Sequence, residues 1–453
     1  MSRASKMGTA AALGAAALVF SGCASGPSGS TRQQVNRLIA AGDYPQAAQY
    51  IDSVKESQYG KKNMVLFYLD KGVVLHHAGK YQESDAAFDV AETRQEELYT
   101  KSITKAGGML LLNDTTMDYA GEPFERALTN VFRALNYVFL GKPDEALVES
   151  RKVEVFLDEL NRRLEKSATY KDDAFARYLD SLLYADAGKL DDARISMDAA
   201  DAAYGWYASL YRTVPPRFDL APAQGRGELV FIHYNGVAPR KVSRTWQIAW
   251  NEAVGFARAS DDTEVRDGRF KNALAAGVTG RAVTVAYPAY VQDPFRIVSS
   301  EIVVDGQEQA PTLLMEDISA IAGRALQDRM ALIKVRAVAR ATIKFVLAEQ
   351  VSRAAAAACD RQYGANSFAG LSCKALSRGV AHGTAAATEI ADTRAWGSLP
   401  AQIRMARLKL PAGKHDVMVR YKDATGAVVS TFQFKDVMIT PSKRTYLNHR
   451  TAI

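Results

Sequence analysis

Three cysteines, six histidines and a few charged or aromatic clusters are the side chains of this 453-residue sequence best suited to chemistry. Cys359 and Cys373 have 13 residues between them. A helical hairpin around Tyr363-Gly364-Ala365-Asn366-Ser367 brings both onto facing turns, so a Cys359–Cys373 disulfide is expected in an oxidising compartment. The histidines (His76, His77, His233, His382, His415 and His449) show no metal-ligand spacing. Asp261-Asp262-Thr263-Glu264 lacks the alternating ligands of a calcium loop and reads as a solvated loop. There is no Gly-x-Ser-x-Gly elbow, phosphate-cradling loop or dinucleotide fingerprint. The chain is therefore expected to be a non-enzyme without metal or cofactor. Binding candidates remain. Arg336, Arg340 and Lys344, four residues apart, share one helix face as a solvated edge or an anion-binding ridge. Arg394 and Trp396 form a ligand platform or plug a sheet edge. Glu122 and Glu125, with Arg126, line a groove or cap and pair at a helix start.

Elements must position these residues, and the first is an address. Arg3 and Lys6 precede an uncharged apolar run, Met7 to Phe20, which is about 21 Å long as a helix and too short to span a bilayer. Residues 1–22 read as a signal peptide and 23–30 as a flexible tether. Phe20-Ser21-Gly22-Cys23 resembles the lipobox of bacterial lipoproteins, which implies acylation of Cys23. Multiple acyl chains make a stable anchor. Ala24 after the cysteine, where Asp favours inner-membrane retention, implies the periplasmic face of the outer membrane. No other run is long enough to span, so the protein is expected to be anchored rather than integral.

Residues 31–212 repeat a pattern. Gly42-Asp43-Tyr44, Gly79-Lys80-Tyr81, Gly141-Lys142-Pro143 and Gly188-Lys189-Leu190 each open a turn with a small residue five positions after the glycine, spaced by 37, 62 and 47 residues. These turns resemble those of an irregular tetratricopeptide-like α-solenoid, with an added helical segment near Glu96–Leu112 and an elongated one near Val153–Leu164. Such arrays present a concave surface to a peptide or protein.

The prolines of 213–227 mark a linker, and 228–453 read as a basic α+β domain. Charge changes with it: 26 Lys+Arg face 30 Asp+Glu over residues 1–224, and 31 face 20 over 225–453. Strands are expected at Glu228–Tyr234, Ala282–Tyr287 and Arg296–Val304, with a short helix over Arg244–Ala259. Long helices are expected over Leu313–Gln362 and Phe368–Ala391, before a C-terminal antiparallel β module of four strands. The 119–151 segment, the basic helix and Asp392-Thr393-Arg394-Ala395-Trp396 together resemble a family of large repeat-bearing bacterial lipoproteins, which often occur beside a lipoprotein similar to an activator of penicillin-binding proteins. That resemblance carries no catalytic residue.

The fold class expected is α+β. Composition excludes disorder, a collagen-like polymer and a disulfide scaffold. The expected function is a protein-interaction scaffold in envelope or surface-complex assembly. An envelope protein would bind the repeats, and the basic domain would contact anionic lipid or cell-wall polymer. A lipid- or glycan-binding carrier is the second class and an envelope hydrolase the third. Nucleic acid is not expected despite a pI near 9.1, because export removes the chain from it.

Overall fold

Glycine turns set the geometry of the first half. In the computed structural model, which describes residues 26–104, 117–163, 170–220, 225–249, 252, 282–387 and 390–452, eight helices pack in chain order. They are α1 (Gly29–Ala40), α2 (Tyr44–Ser53), α3 (Met64–His77), α4 (Tyr81–Thr104), α5 (Pro123–Phe139), α6 (Pro143–Arg163), α7 (Ala174–Asp186) and α8 (Leu190–Leu210). Gly42, Gly79, Gly141 and Gly188 all adopt φ between +69° and +73°. Each turn closes with the same pair of bonds: in the first, Gly42 N–H donates to Ile39 O and Asp43 N–H to Leu38 O. This is the left-handed C-terminal motif that satisfies the last helical carbonyls, and it needs glycine. Within the hairpin α3/α4, Gly72 lets the Phe88 ring approach so closely that a Cβ would lie 2.6 Å from it. The Ser84 hydroxyl donates to Gly72 O at 2.7 Å.

The expected tether is docked from Gly26 onward. Gly26 and Pro27 are buried, Ser28 N–H donates to Gln58, and the Ser28 hydroxyl caps α1. The linker is also held: Arg407 and Arg444 donate to the Asp219 and Leu220 carbonyls.

Among the described residues ten strands follow: β1 (Arg226–Asn235), β2 (Arg240–Ala249), β3 (Ala282–Val291), β4 (Ser299–Val304), β5 (Glu308–Pro311), β6 (Leu313–Asp317), β7 (Gln402–Pro411), β8 (Gly413–Lys422), β9 (Val428–Ile439) and β10 (Arg444–Thr451). Two helices, α9 (Ile318–Tyr363) and α10 (Phe368–Ala387), stand between β6 and β7. The mixed helix-and-sheet class expected from the sequence is present. Its detail differs in three places. Arg244–Ala249 is strand and not helix: Trp246 and Ile248 alternate with polar neighbours and pair with β3, while 250, 251 and 253–259 lie outside the described residues. The long helix begins at Ile318, because Leu313–Asp317 pairs with β7 and the Asp317 side chain caps the helix at Ala320 N. The last four strands form no separate antiparallel module. They divide between an inner sheet, β10-β1-β7-β6, and an outer sheet, β5-β4-β8-β9, and β10 runs parallel to β1.

β1 explains the layering through its period of two. Leu229 and Phe231 face the outer sheet, where they join Ile302, Val417 and Val419. Val230, Ile232 and Tyr234 face the helices and belong to one core with Phe132, Leu135 and Tyr204. Helices, inner sheet and outer sheet are thus three layers, and the inner sheet lies against the helices. Tyr204 donates to Met315 O (3.0 Å), Arg407 to the Tyr178 hydroxyl (2.8 Å) and Tyr446 to Asp186 (2.6 Å). The hairpin β2/β3 packs along α9 through Ile248, Val283 and Val285.

Candidate functional site

Four of the sequence candidates meet where the helices join the second half. Glu122 precedes α5, which starts at Pro123, and forms a reciprocal capping box with Glu125. This local role accounts for only part of each carboxylate. Glu122 also accepts from Lys241 of β2 at 2.5 Å and from Arg329 of α9. Glu125 Oε1 accepts the backbone N–H of Trp396 at 2.8 Å, and Oε2 accepts from the Tyr119 hydroxyl at 2.5 Å and from Glu122 N–H at 2.9 Å. The Tyr290 ring lies beneath the Lys241 ammonium, 5.4 Å from it.

The environment drives the two carboxyls apart. Both are desolvated, which favours the neutral form. For Glu122, Lys241 and Arg329 outweigh burial and hold its pKa near 2. Glu125 has no cation in contact. Burial first, then the Glu122 charge, raise it to about 7. The cluster therefore keeps one carboxylate fixed between two cations and one carboxyl that exchanges its proton near neutrality.

Arg394 and Trp396 are neither an open platform nor a sheet-edge plug. Trp396 is 1% exposed, packs on Phe88 and Phe132, and gives its indole N–H to Ser398. Arg394 clasps Asp392 and donates to Met117 O at 2.6 Å. The stretch ties the helices to the start of β7. Arg126 lies between the Tyr99 and Phe156 rings, at 4.7 and 4.6 Å.

The basic stripe is not a uniform solvent-facing ridge. Arg336 is exposed, Lys344 half-buried and Arg340 only 6% exposed, and each is engaged in interactions within the chain. Cys359 and Cys373 meet as expected, with sulfurs 2.03 Å and α-carbons 5.9 Å apart. Cys23 and Asp261–Glu264 lie outside the described residues.

The sequence reading missed Lys241 and Tyr290 as members of the junction. Lys241 is buried through contacts distant in sequence, its pairing with Tyr290 of β3 and its bond to Glu122, which leave no local signal. No family model, curated protein or solved structure matches this chain.

Proposed function

We propose that this chain is an envelope lipoprotein that acts as an interaction scaffold, anchored through Cys23 at the periplasmic face of the outer membrane, with tetratricopeptide-like hairpins as its frame. The four identically closed turns support the repeat reading, and the acylation sequence supports the address. The face that such an array offers to a peptide is covered by the chain's own inner sheet. Partner binding is therefore assigned to the arm formed by α9 and α10.

That arm carries the reading. Beyond Val346, the last α9 residue in the core it shares with β2 and β3, the helix runs on to Tyr363 for about 26 Å. Among the described elements α10 packs chiefly along α9. Phe368 is 87% exposed, Leu376 71% and Val351 60%. The disulfide and the ion pair Asp360–Lys374 (2.8 Å) hold the two helices together. Ordered helices that keep apolar side chains in water suit an interaction surface, and the positive second half suits an anionic setting.

Photo-crosslinking residues placed at Phe368 and Leu376, with the exposed Ile195 of α8 as the control, test this in intact envelopes. A discrete protein adduct from the arm positions alone is expected. Equal labelling at all three positions, or none at the arm, would refute the scaffold reading.

A further inference from the structure

Arg450 is an arginine without a counterion. It lies on β10 beside Tyr234 of β1, is 4% exposed, and gives a single bond, from Nη2 to the Leu399 carbonyl at 3.3 Å. Its Nε and Nη1 are buried and have no partner. Among the described residues no carboxylate pairs with it, and the ionisable oxygens acting on it are the phenols of Tyr44 and Tyr234. Next to it stands His77, whose two ring nitrogens are likewise buried and unpartnered. The His77 ring lies 4.9 Å from Tyr234 and 5.9 Å from Tyr44. The other buried arginines of this interface are answered: Arg407 and Arg444 share Glu228, and Arg394 has Asp392.

A buried guanidinium without an anion is strongly disfavoured, and so is a buried imidazole with neither nitrogen bonded. Two such groups side by side are complementary to one ligand. An anion with several acceptor oxygens takes the N–H groups of Nε and Nη1, and the imidazole accepts from or donates to the same molecule. We propose that Arg450, His77 and Tyr44 form a binding site for a small oxyanion, a phosphate or carboxylate group, free or at the end of a larger molecule. The half-buried His77 and Tyr44 form its rim, beside the turns at Gly42 and Gly79. The site is distinct from the Glu122–Glu125 junction and from the arm.

The test is thermal unfolding of the full chain in phosphate, acetate or chloride at matched ionic strength. Phosphate or acetate is expected to raise the midpoint with the logarithm of its concentration, by about 3 °C at a hundredfold excess over Kd. Arg450→Met is expected to abolish that response and to raise the midpoint in chloride, because the uncompensated charge is gone. Arg450→Lys, which keeps the charge but not the planar donor array, serves if the first variant fails to fold, and is expected to weaken the response at least tenfold. A free phosphate and a larger acid are separated by the apparent Kd from these titrations: inorganic phosphate binding more tightly than acetate points to the free ion, and equally weak binding of both points to the acid group of a larger molecule. Stabilisation by all three salts alike, or an unchanged oxyanion response in either variant, overturns the assignment.

Discussion

Replacing Glu125 with Gln separates a titrating carboxyl from one that merely caps a helix. The folded chain holds the Glu125 proton up to about pH 7, against an ordinary value of 4.5. Between those values the folded state binds more protons than the unfolded one, so stability falls as pH rises. The contribution is complete below the lower value and lost above the upper one. At about 1.4 kcal/mol per unit the full effect is about 3 kcal/mol, of which about 2.5 falls between pH 5 and pH 8. Asp173, Asp180 and Glu316 are also pushed up by burial. The wild-type profile is therefore a sum, and only its difference from Glu125→Gln isolates this group. The amide costs a constant amount, about 1–3 kcal/mol, because its NH2 must face either Trp396 N–H or Glu122 N–H. Urea unfolding at pH 5, 6, 7 and 8 is expected to show the variant gaining about 2.5 kcal/mol on the wild type across that range. A difference that stays flat with pH would mean that the carboxyl does not titrate there, and the burial argument would fail.

The remaining predictions concern packing, the arm and the anchor. Gly72→Ala places a methyl against the buried Phe88 ring; overpacking of about 1–3 kcal/mol outweighs up to ~1 kcal/mol of helix propensity, so denaturant titration is expected to show a net loss. The paired change Cys359→Ser and Cys373→Ser removes a closure worth about 3 kcal/mol, and amide exchange along α10 is expected to speed up by about a hundredfold while the inner sheet is unaffected. Unchanged exchange would show that the bridge holds nothing. Cys23→Ala is expected to release the chain from membranes in fractionation; retention through a high-salt wash would sink the anchor reading.

Local signals were legible because local physics produces them. The glycine turns and the strand β1 each depend on a few adjacent residues, and each stands where the sequence places it; the Asp317 cap was missed, because the helix was expected to start at Leu313. Glu122 and Glu125 were legible as helix-start acids, and the capping box is real. Their other partners were not legible: Lys241 lies 119 residues from Glu122, and Trp396 lies 271 residues from Glu125. Charge pattern cannot report a contact across such a distance. The strand β2 was misread because a short run containing Trp246, Ile248 and Ala249 fits either period, and only its pairing with β3 decides. The parallel pairing of β10 leaves no local trace at all, since no turn connects the two strands.

That parallel edge carries a cost in time. β1 is completed by β7 and β10, and its Glu228 bonds Arg444 across a separation of 216 residues. During synthesis the helices emerge first and present Phe132, Leu135 and Tyr204 without the inner sheet that completes their burial. The strands that close this face arrive near the end of the chain. Such long loops must close before any burial rewards them, so slow folding is expected, with the helical face incompletely buried until they close. A chaperone that shields the helical face until β10 is available is what this order of assembly calls for.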